Sequence, residues 1–207
     1  FVLRSILDDF GYLCGHGQGL SGMSQTINRQ LGHILFDIEH LVLVNPELEN
    51  FRIAIVPDGL HRNRAPLQIK KFGVEEVTTM LDLEKCPNYF WEDRFPHRSP
   101  EFCMNRYLRH PWHDYIFERL KGSYGAEVGI VYRIADCAES RLIKIVDIFG
   151  DERAFDLIVP HMASVLVENK AEFADFYVWT DNAINWESYG FIEVTKEPGL
   201  VVPDHIA

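Results

Sequence analysis

The stretch RLIKIVDIFGDERAFDLIVPHMASVLVENKAEFADFYVWTDNAINWESYGF, residues 141–191, decides the fold. Its first part, 141–149, is rich in β-branched residues and predicts a strand, and 175–179 predicts another. Between them, 152–170 has apolar residues at helical spacing, so a long helix separates the two strands. A strand–helix–strand order of this kind allows a parallel crossover connection within one sheet.

The chain on either side adds strands and short helices. Segments 115–120 and 127–134 read as strands, and the short turns that join them to 141–149 make the three antiparallel neighbours. The other elements expected are strands at 34–44, 67–72 and 191–194, and helices at 74–83, 99–108 and 182–189. We therefore expect an α/β (α+β) fold, with a mixed, mostly antiparallel sheet flanked by helices.

The composition narrows the classes of function. The chain has 31 acidic and 20 basic side chains and a net charge of −11, so we expect no nucleic-acid partner, because no excess of Lys and Arg exists to neutralise phosphates. No apolar run approaches the ~20 residues of a membrane span. The four cysteines match no zinc spacing and read as reduced thiols. These features predict a cytoplasmic protein that holds no metal.

The strand order and the ending Gly190-Phe191 resemble the GNAT N-acyltransferase fold over residues 67–202. The segment 89–115, which contains RYLRHPWHDY, is similar to an entry helix of GNAT-like proteins that are encoded with polysaccharide-biosynthesis enzymes, some of which carry two GNAT units. The resemblance implies that strands 141–149 and 175–179 start side by side and then splay to admit the arm of coenzyme A.

The same resemblance implies two domains. Residues 1–65 would be the C-terminal part of a preceding GNAT-like unit with a connector, and residues 66–207 a GNAT-like acyltransferase domain. Because the chain begins at Phe1 inside an apparent strand, we expect it to be a fragment of a longer protein.

The resemblance also implies acetyl-CoA as the acyl donor. Its pyrophosphate would meet the start of the helix at 152–170, where the unpaired N–H groups of a helix favour anions. The cofactor-binding candidates are Ile148 and Phe149, whose backbone N–H groups would polarise the thioester, with Gly150, Arg153 and Ala154 in the loop. Asp151 and Glu152 would oppose a phosphate by like charge, and the alternative is that they only cap the helix.

The catalytic candidates are Asp147, Tyr177 and Tyr189. Asp147, flanked by apolar residues, would take the proton of the amine, or would be an edge carboxylate paired with Arg133 or Arg141. A tyrosine would protonate the leaving thiolate, but the family position for it holds Trp186 here. Packing roles for Tyr177 and Tyr189 are the alternative.

The substrate-binding candidates are Trp91, His110, Trp112 and His113. Trp91 and Trp112, together with Tyr89, Phe90 and Tyr115, would stack on a sugar, because aromatic faces suit the apolar faces of sugars, and His110 and His113 would line the substrate pocket. The alternative is that the aromatic rings pack in the core and the histidines pack on them in a loop. A metal site at these histidines lacks a carboxylate or thiolate at ligand spacing.

The function expected is acyl-CoA-dependent transfer of an acetyl group to an amino group on a sugar nucleotide or a cell-envelope precursor. The partners are then a small-molecule amine and acyl-CoA, and a homodimer is an open possibility. The alternative is a catalytically inactive GNAT-fold binding or assembly module. Aminoacyl transfer would need a basic surface for tRNA, which the net charge disfavours.

Overall fold

The computed structural model describes residues 26–27, 29–30, 38–60, 72–91, 98–137, 139–178 and 184–203. The chain divides into two compact units, Phe1–Asp37 and Ile38–Ala207. In the first unit, the described residues 26, 27, 29 and 30 are helical. The second unit holds the sheet.

That sheet has seven strands in the order β2-β3-β4-β5-β6-β1-β7. The strands are β1 Glu39–Val44, β2 Gly73–Glu76, β3 Ile116–Lys121, β4 Glu127–Cys137, β5 Ser140–Gly150, β6 Phe173–Val178 and β7 Ile192–Glu193. Every neighbouring pair is antiparallel except β5 and β6, which are parallel. The α/β (α+β) class with a mixed, mostly antiparallel sheet is therefore confirmed.

The helices are short, apart from one. They are α1 Met80–Glu84, α2 Pro100–Cys103, α3 Ile158–Asn169 and α4 Trp186–Tyr189. Ser99 caps α2 and Pro100 occupies its first turn, as expected of a helix start. The chain then continues through a π-helical turn at Met104–Leu108. A 3₁₀ segment, Glu152–Leu157, leads into α3, so the helix expected at 152–170 is α-helical only from Ile158.

The helix expected at 74–83 is wrong in its first half. Gly73–Glu76 is an exposed edge strand paired with β3, and the helix starts only at Met80. Thr79 decides that start, because its side chain accepts from the amide of Asp82 while the Asp82 carboxylate accepts from the amide of Thr79. The strand expected at 67–72 lies almost wholly outside the described residues.

Strand β1 belongs to the sheet of the second unit. It pairs with β6 along its whole length, from Glu39 opposite Val178 to Val44 opposite Phe173, and with β7 on its other side. Its residues 41–44 are buried on both faces of the sheet, which requires an interior strand. The division between the compact units falls between residues 37 and 38, and the domain boundary expected at 65 stays a prediction. A preceding GNAT-like unit stays a prediction, since most of residues 1–37 lie outside the described residues.

The two faces of the sheet are covered differently. Helix α3 packs on one face, over a core that includes Leu41, Ile143 and Phe176. On the opposite face, α1 and α2 cover one end of the sheet around Phe117 and Phe149. The other end of that face packs against the segments at 51–56 and 200–202.

Candidate functional site

Strands β5 and β6 part after a very short contact. Only Ile143 with Ala174 and Lys144 with Asp175 are paired, although β5 runs on to Gly150 and β6 to Val178. Just beyond the contact, the register of β5 against β4 shifts between Val131 and Tyr132. A shift of this kind is a bulge that bends the strand. We call the region where the two strands part the β5–β6 cleft.

A polar cluster lies where the cleft begins. Asp175 is fully buried, and its Oδ2 is 2.8 Å from His40 Nε2 and 2.7 Å from Lys144 Nζ. Its Oδ1 is enclosed without a hydrogen-bond partner among the described residues. The ring of Tyr177, which is 39 % exposed, stacks on His40 at 4.3 Å. We call these four residues the His40 cluster.

The His40 cluster lies on one face of the sheet. Asp175 and Tyr177 are two residues apart on β6 and therefore point to the same side. Tyr177 is directly opposite His40 in the register. Phe173, two residues before Asp175, also points to this face and packs there against the segments at 51–56 and 200–202. The cluster therefore lies on the face of the sheet that α1 and α2 cover at its other end.

Sequence reasoning missed His40, Lys144 and Asp175. The signal was present for two of them, because Lys144 and Asp175 each interrupt an apolar strand, as in LIKIV and FADFYV, whereas His40 follows Glu39 at the start of EHLVLV. Such residues are seldom buried without a partner. A carboxylate oxygen that holds both an imidazole and an ammonium is an arrangement that can orient a proton acceptor.

Asp147 is held by groups from the segment before α2 and from the π-helical turn after it. Arg98 donates to both carboxylate oxygens, at 2.8 and 2.7 Å, and the Tyr107 hydroxyl donates to Oδ2 at 2.7 Å. Burial, together with the charge of Asp147, raises the pKa of Tyr107. Arg133 and Arg141, the ion-pair partners expected from the sequence, make their contacts elsewhere. The carboxylate is thus in place as a firmly bound anion, and a role as general base stays a prediction.

The two candidate tyrosines lie in different surroundings. Tyr177 belongs to the His40 cluster. Tyr189 packs with Trp186 and Phe155 on the α3 side of the sheet, with ring centroids 6.2 and 6.1 Å apart. Trp186 is buried and stacks on Phe155 at 5.4 Å. Of the two tyrosines, only Tyr177 is brought to the polar groups.

In the loop expected to bind pyrophosphate, the carboxylate of Asp151 occupies the position expected for the anion. Asp151 caps the 3₁₀ segment, its Oδ1 accepting from the Arg153 amide at 3.0 Å. The Arg153 side chain, 74 % exposed, turns back so that Nε lies 3.0 Å from both Asp151 oxygens. Hydrogen bonding to Asp151 and its charge raise the pKa of Arg153. The amide and the guanidinium that would hold a phosphate are therefore both engaged by Asp151.

The remaining cofactor-binding candidates are Ile148, Phe149, Gly150 and Ala154, which could contact a ligand through their backbone rather than their side chains. Phe149 and Ala154 are buried, and Ile148 packs against the core under α3. Gly150 has a φ of +133°, and a Cβ there would lie 2.6 Å from the Glu127 carbonyl oxygen. Close packing against β4 therefore requires glycine at this position whether or not a ligand approaches it.

The substrate candidates form a loop cluster and one separate residue. His110 and His113 stack at 5.1 Å, and His110 Nδ1 accepts from the amides of Trp112 and His113 at 3.3 and 3.1 Å. Desolvation, and then the neighbouring His113, lowers the pKa of His110. Trp112 is 83 % exposed, while Trp91 packs on Phe149. The four residues do not form one aromatic platform.

The described residues contain neither a metal-binding group nor a membrane-spanning helix. In the part of the chain that the structure describes, no group of three or more His, Cys, Asp or Glu side chains could hold a metal ion. Within the same described ranges, no helix combines the length and the apolar character that crossing a membrane requires.

Comparison with known proteins identifies no family. No family model and no curated protein matches the chain. Among solved structures, the chain is similar to a functionally unknown conserved protein from Staphylococcus epidermidis ATCC 12228, with 12 % identity and a TM-score of 0.47. The match covers 86 % of this chain and 65 % of that one. The chain thus spans less than two thirds of the length of that protein.

Proposed function

We propose that the protein is an acyl-CoA-dependent N-acyltransferase, with its active site in the β5–β6 cleft. The observation that carries the proposal is the parallel pairing of β5 and β6, which stops after Lys144 and Asp175. It stops at the His40 cluster, so the end of the strand pairing coincides with groups able to accept a proton.

The cleft suits an extended thioester arm. Within the described strands, the edge of β5 that faces β6 has no strand partner beyond Lys144. An unpaired strand edge presents N–H and C=O groups to whatever lies beside it. A ligand with amide groups along a narrow chain, such as the pantetheine arm of acetyl-CoA, can satisfy them, and a free N–H can hold the carbonyl oxygen of the thioester.

In the mechanism that we propose, the amine nitrogen attacks the thioester carbonyl carbon. A carbon–nitrogen bond forms, the carbon–sulfur bond breaks, and the proton of the amine passes to His40. Asp175 orients the imidazole, and Lys144 balances the charge of the buried carboxylate. The departing thiolate takes a proton from the Tyr177 hydroxyl.

The acceptor that we propose is an amino group on a sugar nucleotide or a cell-envelope precursor, and the compartment is the cytoplasm. The acceptor follows from the resemblance of the segment 89–115 to GNAT-like proteins of polysaccharide biosynthesis, and the compartment from cysteines that read as reduced thiols. A homodimer stays a prediction.

The test is turnover of acetyl-CoA with a panel of amino-sugar nucleotides, read as thiol release and as product mass. Asp175→Asn should lower kcat by about 100-fold or more, because a misoriented base loses most of its contribution. Asp58→Asn, the same change at an exposed turn residue, should leave kcat unchanged. Equal activity of the Asp175 and Asp58 variants, in the presence of a working acceptor, would remove the His40 cluster from the mechanism.

The second candidate function is a non-catalytic binding or assembly module. The observation that favours it is the engagement of Arg153 and its amide by Asp151, which leaves the expected pyrophosphate site filled by a carboxylate. Calorimetry with acetyl-CoA separates the two candidates. Absence of binding at millimolar acetyl-CoA, by both the parent chain and Asp151→Asn, would favour the module.

A further inference from the structure

A second opening lies on the other face of the sheet. A cavity of about 520 Å³ lies between α3 and strands β2, β3 and β4. Its walls are mixed: Val74, Ile116 and Ile134 from the strands and Val165 from the helix are apolar, and the rest of the lining is mostly polar. A small-molecule site of this size needs apolar walls for the body of a ligand and a few polar groups that converge on its polar end.

Three polar groups do converge there. Glu118 Oε2 is 2.7 Å from His161 Nε2 and accepts from the Tyr132 hydroxyl at 2.8 Å. His161 and Tyr132 are buried, so the carboxylate is held from two sides. Both contacts use the same oxygen. Oε1 has no hydrogen-bond partner among the described residues, and it is not among the fully enclosed atoms, so it faces the cavity.

The charge of Glu118 is retained in this setting. Burial raises the pKa of its carboxyl, but hydrogen bonds from His161 and Tyr132 outweigh the burial and lower the pKa overall. A carboxylate that accepts such bonds stays ionised at neutral pH.

The rest of the lining offers acceptors and negative charge. Among the described residues that line the cavity, Glu168 is a second carboxylate and none is Lys or Arg. The Asn169 side chain donates its amide to the Val165 carbonyl at 2.9 Å, which leaves its own oxygen as an acceptor. An anion would meet repulsion here, whereas a cation with N–H donors would find partners.

We propose that this cavity binds a small organic ammonium compound with an apolar body, its ammonium group on Glu118 Oε1 and its body between Ile116 and Val165. The site is separate from the β5–β6 cleft, because Glu118 and Tyr132 lie on the α3 face of the sheet and the His40 cluster lies on the opposite face. It does not depend on acyl transfer.

The experiment measures binding of 2-phenylethylammonium to the full chain by calorimetry. The matched probes are 2-phenylethanol, which has a similar body without the charge, and 3-phenylpropanoate, which carries the opposite charge. Glu118→Gln removes the charge at the site, and Glu84→Gln removes a charge from an exposed position on α1. Ser164→Trp fills the mouth of the cavity from an exposed position on α3, without altering the core.

The proposal predicts that the ammonium probe binds at least about tenfold more tightly than the alcohol, and that the propanoate does not bind. Glu118→Gln should weaken the ammonium probe about tenfold or more, Glu84→Gln should not, and Ser164→Trp should abolish binding. Ser164→Trp keeps the test valid if Glu118→Gln does not fold. Failure of the ammonium probe to bind the parent chain, equal affinity for the alcohol, or undiminished binding by Ser164→Trp would each overturn the proposal.

Discussion

Replacing Lys144 with methionine tests whether the His40 cluster is a buried ionic network. Methionine keeps the length and much of the volume of the lysine stem but removes the ammonium. The Asp175 side chain is fully buried and that of Lys144 is 13 % exposed. In the variant, the carboxylate would keep His40 alone at Oδ2, with Oδ1 still unpartnered among the described residues.

The magnitude follows from the burial. Removing one partner of a buried ion pair costs about 3–5 kcal/mol, because the other charge stays in a medium that solvates it poorly. For a chain of this size, each kcal/mol lowers Tm by about 2–4 °C, so the variant should melt about 6–20 °C lower. Lys144→Met combined with Asp175→Leu should recover much of the loss, since an apolar pair leaves no charge unpaired.

Thermal and urea unfolding of the parent and the variants would measure these differences. The matched control is Lys196→Met, which breaks ion pairs with Glu187 and Glu193 at an exposed position and should change Tm far less. A loss at Lys144→Met no greater than at Lys196→Met would refute the reasoning, because Asp175 would then not depend on the ammonium.

Three further changes probe the loop and the cavity. Gly150→Ala should lower the free energy of unfolding, measured by urea denaturation, by about 1–3 kcal/mol, because φ is +133° and backbone atoms of β4 block the Cβ. Gly125→Ala should lower it less, because φ there is +73° and no atom lies within 4 Å of the Cβ. Folding lowers the pKa of Glu118. The ionised Glu118 carboxylate therefore stabilises the fold at pH values above its unfolded pKa of about 4.5, and this stabilisation is lost as the pH falls through the folded pKa. The difference in unfolding free energy between the parent and Glu118→Gln should therefore shrink below pH 4.5, and a constant difference would contradict the assignment. Asp151→Asn should tighten acetyl-CoA binding about five- to tenfold, and Arg153→Ala should weaken it. Both changes in affinity should be smaller at high salt. Unchanged affinity in both variants would show that the loop does not contact the ligand.

Local pattern was sufficient for the long strands and for the strand–helix–strand unit. Residues 127–134 and 141–149 carry β-branched side chains and are joined by a short turn, so both their structure and their antiparallel pairing follow from nearby residues. The parallel pairing of β5 with β6 also follows, because the helical segment between them imposes a crossover.

Pairings between distant parts of the chain could not be predicted in this way. The edge strand β2, with the sequence GVEE, has no apolar alternation, and only its pairing with β3 makes it a strand. The position of β1 between β6 and β7 joins residues more than a hundred apart, and no local signal specifies that insertion.

The candidate site depended on the same long-range contacts. The sequence marks Asp147 as an unusual carboxylate, but its partner Arg98 lies 49 residues earlier, outside the helices and strands expected from the sequence. His40 and Asp175 are 135 residues apart. Each is visible as an ionisable residue in an apolar strand, but the sequence does not show that the two strands are neighbours.

The most direct test of the account is hydrogen exchange of the parent chain with millimolar acetyl-CoA, compared with the same concentration of ADP. Acetyl-CoA and ADP share an adenosine and a pyrophosphate, but only acetyl-CoA has the thioester arm. The account predicts that acetyl-CoA slows exchange at amides 145–149 of β5 and 175–178 of β6, and that ADP does not. Unchanged exchange in both segments with acetyl-CoA, or equal protection by ADP, would contradict an acyl-CoA site in the β5–β6 cleft.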